Sequence, residues 1–386
     1  MRTAALEGFA GAFDSDFWVD DVVRAAQTYP AVWHAGLALA ATHCTVHDAE
    51  LSQSRRQQWH MYALQQYGKC IRCLLAIIRK QDINYGDMEC VLLSNIMLFG
   101  FCCLQQDTKA AARHMENGLR VFYEWHFWER ATTHPAQTAV LNAFPLVRLF
   151  RRFELQCPWS DARRPLQLEA VTPSAAPYTT ATEACSEFLA LKSNFSKAVN
   201  SPQDDETVVN SLNNPVANIC HSYGRLFSIW KSKLEAFLES QCPTSSETES
   251  ILILQIWSAA VDMCLHVRGT DDAIQDIASD VWRPTFERIA ALTDKLWHET
   301  EKNAMLRSLP STSVSFTFSL SVCEPLVWAE LCCDGAIRHQ ITSFLRKWPR
   351  RDGLWDPIIS ASIVEGSTSF EQAFTALSAT GSQDRE

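Results

Sequence analysis

The chain has 386 residues and a formal net charge of −10, with 47% hydrophobic and 20% charged residues. That balance excludes a disordered chain, and the acidic excess argues against a free-standing nucleic-acid binder, which needs a basic face to neutralise phosphates. Glycine is scarce at 13 residues, and leucine and alanine dominate many windows, so helices are expected rather than a sandwich or barrel.

Apolar residues recur at three- and four-residue spacing along most of the sequence. A first helix is expected over Phe17–Gln27, entered through Asp14 and Ser15 as caps, and Pro30 opens a second that runs to about Asp48. Helices follow at about Gln53–Lys80, Asp87–Leu104, Thr108–Trp125 and Pro135–Leu155, the last bent at Pro145. Four prolines between Cys157 and Thr182 predict a long loop (157–182). After a helix at Glu183–Val199, a polar stretch (199–214) reads as a linker ending at Pro215. Further helices are expected at about Pro215–Ser240, Glu247–Val267 and Asp280–Ala304, with Ser246 and Glu249 as a capping box for the middle one. Ser313–Leu320 alternates like a strand, but no partner strand is visible, so an extended connector is expected. Ser321 and Glu324 form a second capping-box pattern, opening a helix towards Leu345, and the final 20 residues are a polar tail. The fold expected is all-α: packed antiparallel helices or a helical-hairpin array in a single large domain over 1–386, with subhalves at about 1–198 and 212–386.

The N-terminus lacks the apolar core of a signal peptide, and no run of 18 apolar residues occurs, so no membrane partner is expected. Fourteen cysteines then imply reduced thiols. Cys70-x-x-Cys73 sits mid-helix near the apolar face. It lacks the further ligands of a zinc site and the helix-start position of a redox pair, so small buried side chains are the favoured reading. His43 and His47 lie one turn apart near Cys44, Asp48 and Glu50, without an HExxH arrangement, and helix packing outweighs metal binding. The run Phe122–Trp128 suits a core better than a ligand pocket, although a pocket for a small-molecule inducer somewhere among so many aromatics stays open. The basic clusters Arg148, Arg151, Arg152 and Arg346, Lys347, Arg350, Arg351 read as solvated helix faces or helix ends. Glu299 and Glu301 read as scattered surface charges. No phosphate loop, nucleophile elbow, kinase signature or dinucleotide fingerprint is present, so no catalytic, cofactor-binding or metal residue is assigned and no enzyme is expected.

Four segments in order carry a family resemblance. They are Phe17-Trp18 with Tyr29–His43, then Ala63–Leu74, then Val91 through Ala110–Phe122 with His114, Gly118 and Leu119, and finally the C-terminal run. In the last, Pro325-Leu326, Asp334, Ile337-Arg338, Leu345 and Pro349 through Asp356 are the matching elements. Together they resemble the fungal-specific transcription factor domain, the regulatory region that follows a Zn(II)2Cys6 cluster. The physical reading beside it is one of packing: Gly118 for close helix approach, Pro349 as a helix stop, and Asp352 as a cap for a helix that buries Trp355.

The sequence departs from the family pattern at Cys333, where an arginine is frequent, and at Gly335, where a proline is. The six-cysteine cluster, its basic linker and its coiled coil have no counterpart here, so no DNA-binding domain is found. What the resemblance implies is a nuclear transcriptional regulator without direct specific DNA binding of its own. It would act through a DNA-binding regulator or the transcription machinery, on a fungal secondary-metabolite gene cluster. Two alternatives stay open: a complete zinc-cluster factor whose DNA-binding module is missing from this chain, and a pathway enzyme or ligand carrier on the same scaffold.

Overall fold

The computed structural model describes residues 8–47, 51–133, 140–156, 172–200, 215–240, 247–269, 281–306, 315–333, 335–348 and 350–366. The protein is all-α. A π-helical turn (Phe17–Asp21) leads into α1 (Val22–Thr28), followed by α2 (Pro30–His47), α3 (Gln53–Ile78), α4 (Tyr85–Leu104), α5 (Thr108–Glu124), α6 (Phe127–Thr133) and α7 (Ala143–Gln156). Then come α8 (Ala181–Asn200), α9 (Pro215–Ser240), α10 (Thr248–Gly269), α11 (Arg283–Leu306), β1 (Ser315–Thr317), α12 (Cys323–Cys332), α13 (Gly335–Lys347), β2 (Arg350–Asp352) and α14 (Pro357–Gly366).

Two helices organise the packing. In α4 every residue from Asp87 to Cys103 is buried, and α2 and α5 pack against it. In α10 burial runs almost unbroken from Glu249 to Leu265, with α9 and α11 alongside. A helix apolar on all sides needs neighbours all round, which is the condition these sequences create. Both are long and apolar enough to cross a membrane, yet 89% and 67% of their apolar windows are buried by the rest of the chain. One apolar cluster gathers around α4, from Phe9 to Phe153 together with Phe316 and Phe318. A second gathers around α10, from Phe13 and Leu155 to Val364.

Local signals set the helix ends. Asn84 accepts from the Asp87 amide at 2.8 Å, and the Asp87 carboxylate accepts from the Asn84 amide at 3.3 Å, so α4 begins two residues before the expected Asp87. Ser52 and Asp107 cap α3 and α5 through the Arg55 and Ala110 amides. Gly118 does bring helices close: a methyl there would lie 3.1 Å from Phe150 and 3.4 Å from Asn95.

Several expectations are corrected. Ser313–Leu320 is not merely a connector, because β1 pairs in parallel with β2, Phe316 opposite Arg351. The partner strand hides in a segment of arginines that carries no strand signature. The helix expected from Ser321 to Leu345 is two helices, since Cys333 is extended and Gly335 has φ +56°. Ser321 accepts from the Cys323 amide at 3.0 Å, but the helix is not closed by a Glu324 box. Asp356, not Asp352, caps the last helix, accepting from the Ile358 and Ile359 amides at 3.0 and 3.1 Å, and Trp355 is only half-buried. The helix expected over Pro135–Leu155 begins at Ala143, so Pro145 falls in its first turn rather than mid-helix. The helix α6, starting at Phe127, was not expected. Of the loop expected over 157–182, residues 157–171 lie outside the described residues, as do 201–214 of the linker expected over 199–214, the Ser246 cap, Asp334, Pro349 and the tail; Val199 and Asn200 belong to α8.

Candidate functional site

The C-terminal run that carries the family resemblance is also where the chain's polar groups converge. Asp14 sits at φ +64° with its side chain fully buried, facing two arginines of α7. Arg148 donates through Nε at 2.9 Å and Arg152 through Nη2 at 2.8 Å, and a further Arg148 bond closes the pair. Burial pushes the Asp14 carboxyl up, but the charges of Arg152 and Arg148 outweigh it and hold the pKa below the ordinary carboxylate value. Arg152 also donates to the Phe318 carbonyl at 3.1 Å. Asp14 therefore does not cap the first helix, and Arg148 and Arg152 are not the solvated face expected. They lie one turn apart, so one buried carboxylate binds both.

Around this triad the C-terminal run clasps four distant segments. The Phe318 amide and the Thr317 hydroxyl donate to the Phe9 carbonyl at 2.9 and 3.2 Å, and the rings of Phe318 and Trp18 stack at 4.7 Å. Gly353, at φ +63°, donates to the Thr317 carbonyl at 3.1 Å, and the Leu354 amide donates to Gln156 at 3.0 Å. Arg350 forms a forked pair with Glu249 at the start of α10. Arg351 donates to the Cys103 carbonyl at the end of α4, at 2.9 Å, and pairs with Asp356. Both arginines depart from the expected solvated face for the same reason: each meets a helix terminus or a carboxylate brought by the β1–β2 pair. Arg346 is exposed and pairs with Glu365, and Lys347 is exposed, as a helix end predicts.

Three buried carboxyls among the described residues have raised pKa values. Glu89 accepts from the Tyr29 hydroxyl at 3.0 Å and from the Val140 and Leu141 amides at 3.1 and 3.3 Å; burial outweighs these bonds and raises its pKa. Burial raises Glu330 to about 7 against the Thr342 hydroxyl bond, and raises Asp352 to about 7 against the pull of Arg350. A raised carboxyl pKa is a common mark of a general acid. Each of the three is bound inside the clasp or between helices, and a second described carboxylate acts on each: Asp21 on Glu89, Glu365 on Glu330 and Glu249 on Asp352.

The other sequence candidates separate cleanly. Cys70 is buried, its thiol pushed up to about 12 by desolvation, and Cys73 is half-buried. His43 stands edge-on to Phe9 at 5.2 Å, and Cys44 is exposed. The side chain of His47, and all of Asp48 and Glu50, lie outside the described residues. Among the described residues no group of three His, Cys, Asp or Glu side chains is arranged to hold a metal ion. From the 122–128 run, Phe122 stacks on Phe150 at 4.9 Å and Phe127 on Tyr85 at 5.3 Å, while Trp128 faces Arg151. On α11, Lys302 pairs with the half-buried Glu299, and the exposed His298 ring lies 3.9 Å from the Glu301 carboxylate.

The described polar groups of this site hold segments together. The chain is similar to a transcription regulator. That protein is the aspercryptin biosynthesis cluster-specific transcription regulator of Emericella nidulans, 27% identical over 264 residues, 64% of this chain. The chain spans 42% of that relative's length. No family model matches the chain, and no solved structure matches it. The family resemblance therefore rests on the four segments themselves. The Asp14–Arg148–Arg152 triad escaped sequence reading; its one signal was the i, i+4 spacing of two arginines in an otherwise apolar helix face.

Proposed function

We propose that this chain is a transcriptional regulator of the fungal-specific transcription factor class, acting in the nucleus through protein contacts on a biosynthetic gene cluster. The observation that carries this reading is the similarity to a cluster-specific transcription regulator. The four family-like segments support it, as does a site whose charged groups are engaged in holding helices together rather than exposed for chemistry. The net charge of −10 and the lack of a six-cysteine cluster within these 386 residues favour recruitment by a DNA-binding regulator, or contact with the transcription machinery, over direct reading of DNA. An inducer, where such a regulator takes one, would bind away from Phe122 and Phe127, whose rings are already packed.

Deleting the gene and measuring transcripts of its chromosomal neighbours, with their metabolic products, tests the proposal. Neighbouring transcripts are expected to collapse or rise together with the product. Steady transcripts with one accumulating intermediate would instead identify a pathway enzyme.

A second reading is favoured by one number: the chain spans 42% of the relative's length. On it, these residues are the regulatory part of a longer factor that carries a zinc cluster. Mapping the transcript's 5′ end decides between them, because an in-frame cysteine-rich exon would replace recruitment by direct DNA binding.

A further inference from the structure

The helix α3 has two faces. Ala63, Gln66, Cys70 and Leu74 are buried and pack inward. Roughly a third of a turn round the helix, on its outward side, Met61, Leu64, Leu75 and Ile78 are exposed at 51%, 42%, 45% and 52%. With Gly68 and the half-buried Ile71 between them, they follow spacings of three and four residues in strict alternation, the seam of a helix that expects another helix. Large apolar side chains exposed singly are unremarkable, but a contiguous stripe marks an interaction surface.

The charge of the same helix identifies the partner. α3 holds Arg55, Arg56, Lys69 and Arg72 and has no carboxylate, within a chain of net charge −10. Arg72 and the adjoining Arg79 are exposed beside the seam, each one residue past an apolar seam position, and Lys69 is exposed farther round the helix; none of the three has an ion pair among the described residues. Arg72 reaches back over Gly68, 4.0 Å from where a side chain would begin. A second copy of the same seam would set cations against cations. We infer that the outward face of α3 is the docking groove for an amphipathic helix of another protein, one with apolar residues at heptad spacing flanked by aspartate or glutamate. This rests on the reading of the chain as acting through protein contacts and names the kind of partner that reading needs.

Fluorescence anisotropy on the purified full chain tests it. The probe is a labelled helical peptide of about three heptads, with leucine at the seam positions and glutamate beside them. The control carries lysine in place of glutamate. The glutamate peptide should bind saturably, about ten-fold or more tighter than the lysine peptide, with affinity falling as salt rises. Leu64→Glu with Leu75→Glu should abolish binding while circular dichroism stays unchanged. Arg72→Glu with Arg79→Glu should reverse the preference towards the lysine peptide, a gain that misfolding cannot produce. Equal binding of the two peptides, or no effect of either double variant, would overturn the inference. So would a dimer in sedimentation that Leu75→Glu dissolves. Binding of phosphatidylserine-containing vesicles through the same residues, without peptide binding, would assign the face to a membrane surface instead. Peptide binding with unchanged neighbouring transcripts on gene deletion would sustain the groove and sink the regulatory function.

Discussion

At the scale of single residues, the consequential feature is one carboxylate shared by two guanidiniums deep in the fold. Asp14→Asn keeps the shape and removes the charge, leaving Arg148 and Arg152 facing each other with little solvent between them. A broken buried pair of this kind costs about 3–5 kcal/mol, to be read from the urea midpoint; a loss under about 1 kcal/mol would show that water reaches the triad. Glu330 gives a test of pH dependence. Its folded pKa, about 7, lies above the ordinary 4.5, so the folded state holds the proton more tightly than the unfolded chain. Its contribution favours folding at low pH and is lost as the pH rises from about 4.5 through about 7. His114, lowered to about 4 by burial, contributes with the opposite sign between about 4 and 6.5. Comparing Glu330→Gln with the parent cancels that term. The variant should gain on the parent by more than about 1 kcal/mol between pH values of about 5 and 7.5. Thiols give a third check: peptide mapping after brief alkylation of the native protein should find exposed Cys44 modified well before buried Cys70 and Cys90, whose pKa values are pushed up to about 12.

At the scale of elements, two glycines on helices should respond oppositely to the same change. A methyl at Gly100 would lie 2.5 Å from the Phe318 ring and 3.0 Å from Phe316, where α4 meets β1. Gly100→Ala is expected to destabilise by about 1–3 kcal/mol. At Gly68, on the outward face of α3, the nearest atom is the mobile end of Arg72 at 4.0 Å. Gly68→Ala should stabilise by about 0.5–1 kcal/mol through helix propensity, and thermal melts of the pair distinguish them directly. The helices were the legible part of the sequence, because apolar spacing near 3.6 reports burial locally. Pro215–Ser240 falls where expected, and Asn84 moved one boundary because its cap lay a turn outside the apolar run. What escaped were the non-local features. β1 shows its alternation but β2 does not, since Arg350 and Asp352 are placed by ion pairs and burial that no window of sequence contains.

At the scale of the whole molecule, two apolar clusters built on α4 and α10 meet at a clasp made of the N-terminal Phe9–Asp14 segment and the 315–356 region. The sequence pointed to the clasp by family likeness and misread its arginines as solvated, because their carboxylate partners, Asp14 for Arg152 and Glu249 for Arg350, are over a hundred positions away. The outward face of α3 was missed for a different reason. The heptad positions were in plain view, but only exposure tells a packed stripe from an unpartnered one. The clasp makes the chain a frame, and its exposed apolar, cationic helix gives the frame something to hold. The central claim is that the frame regulates transcription. It is tested most directly by quantifying transcripts of the neighbouring genes in a deletion strain that carries either the wild-type chain or its Leu64→Glu, Leu75→Glu form. The account predicts that deletion shifts those transcripts, that the wild-type chain restores them, and that the variant, present at equal abundance, does not. Transcripts that stay at parental levels in all three strains would contradict it.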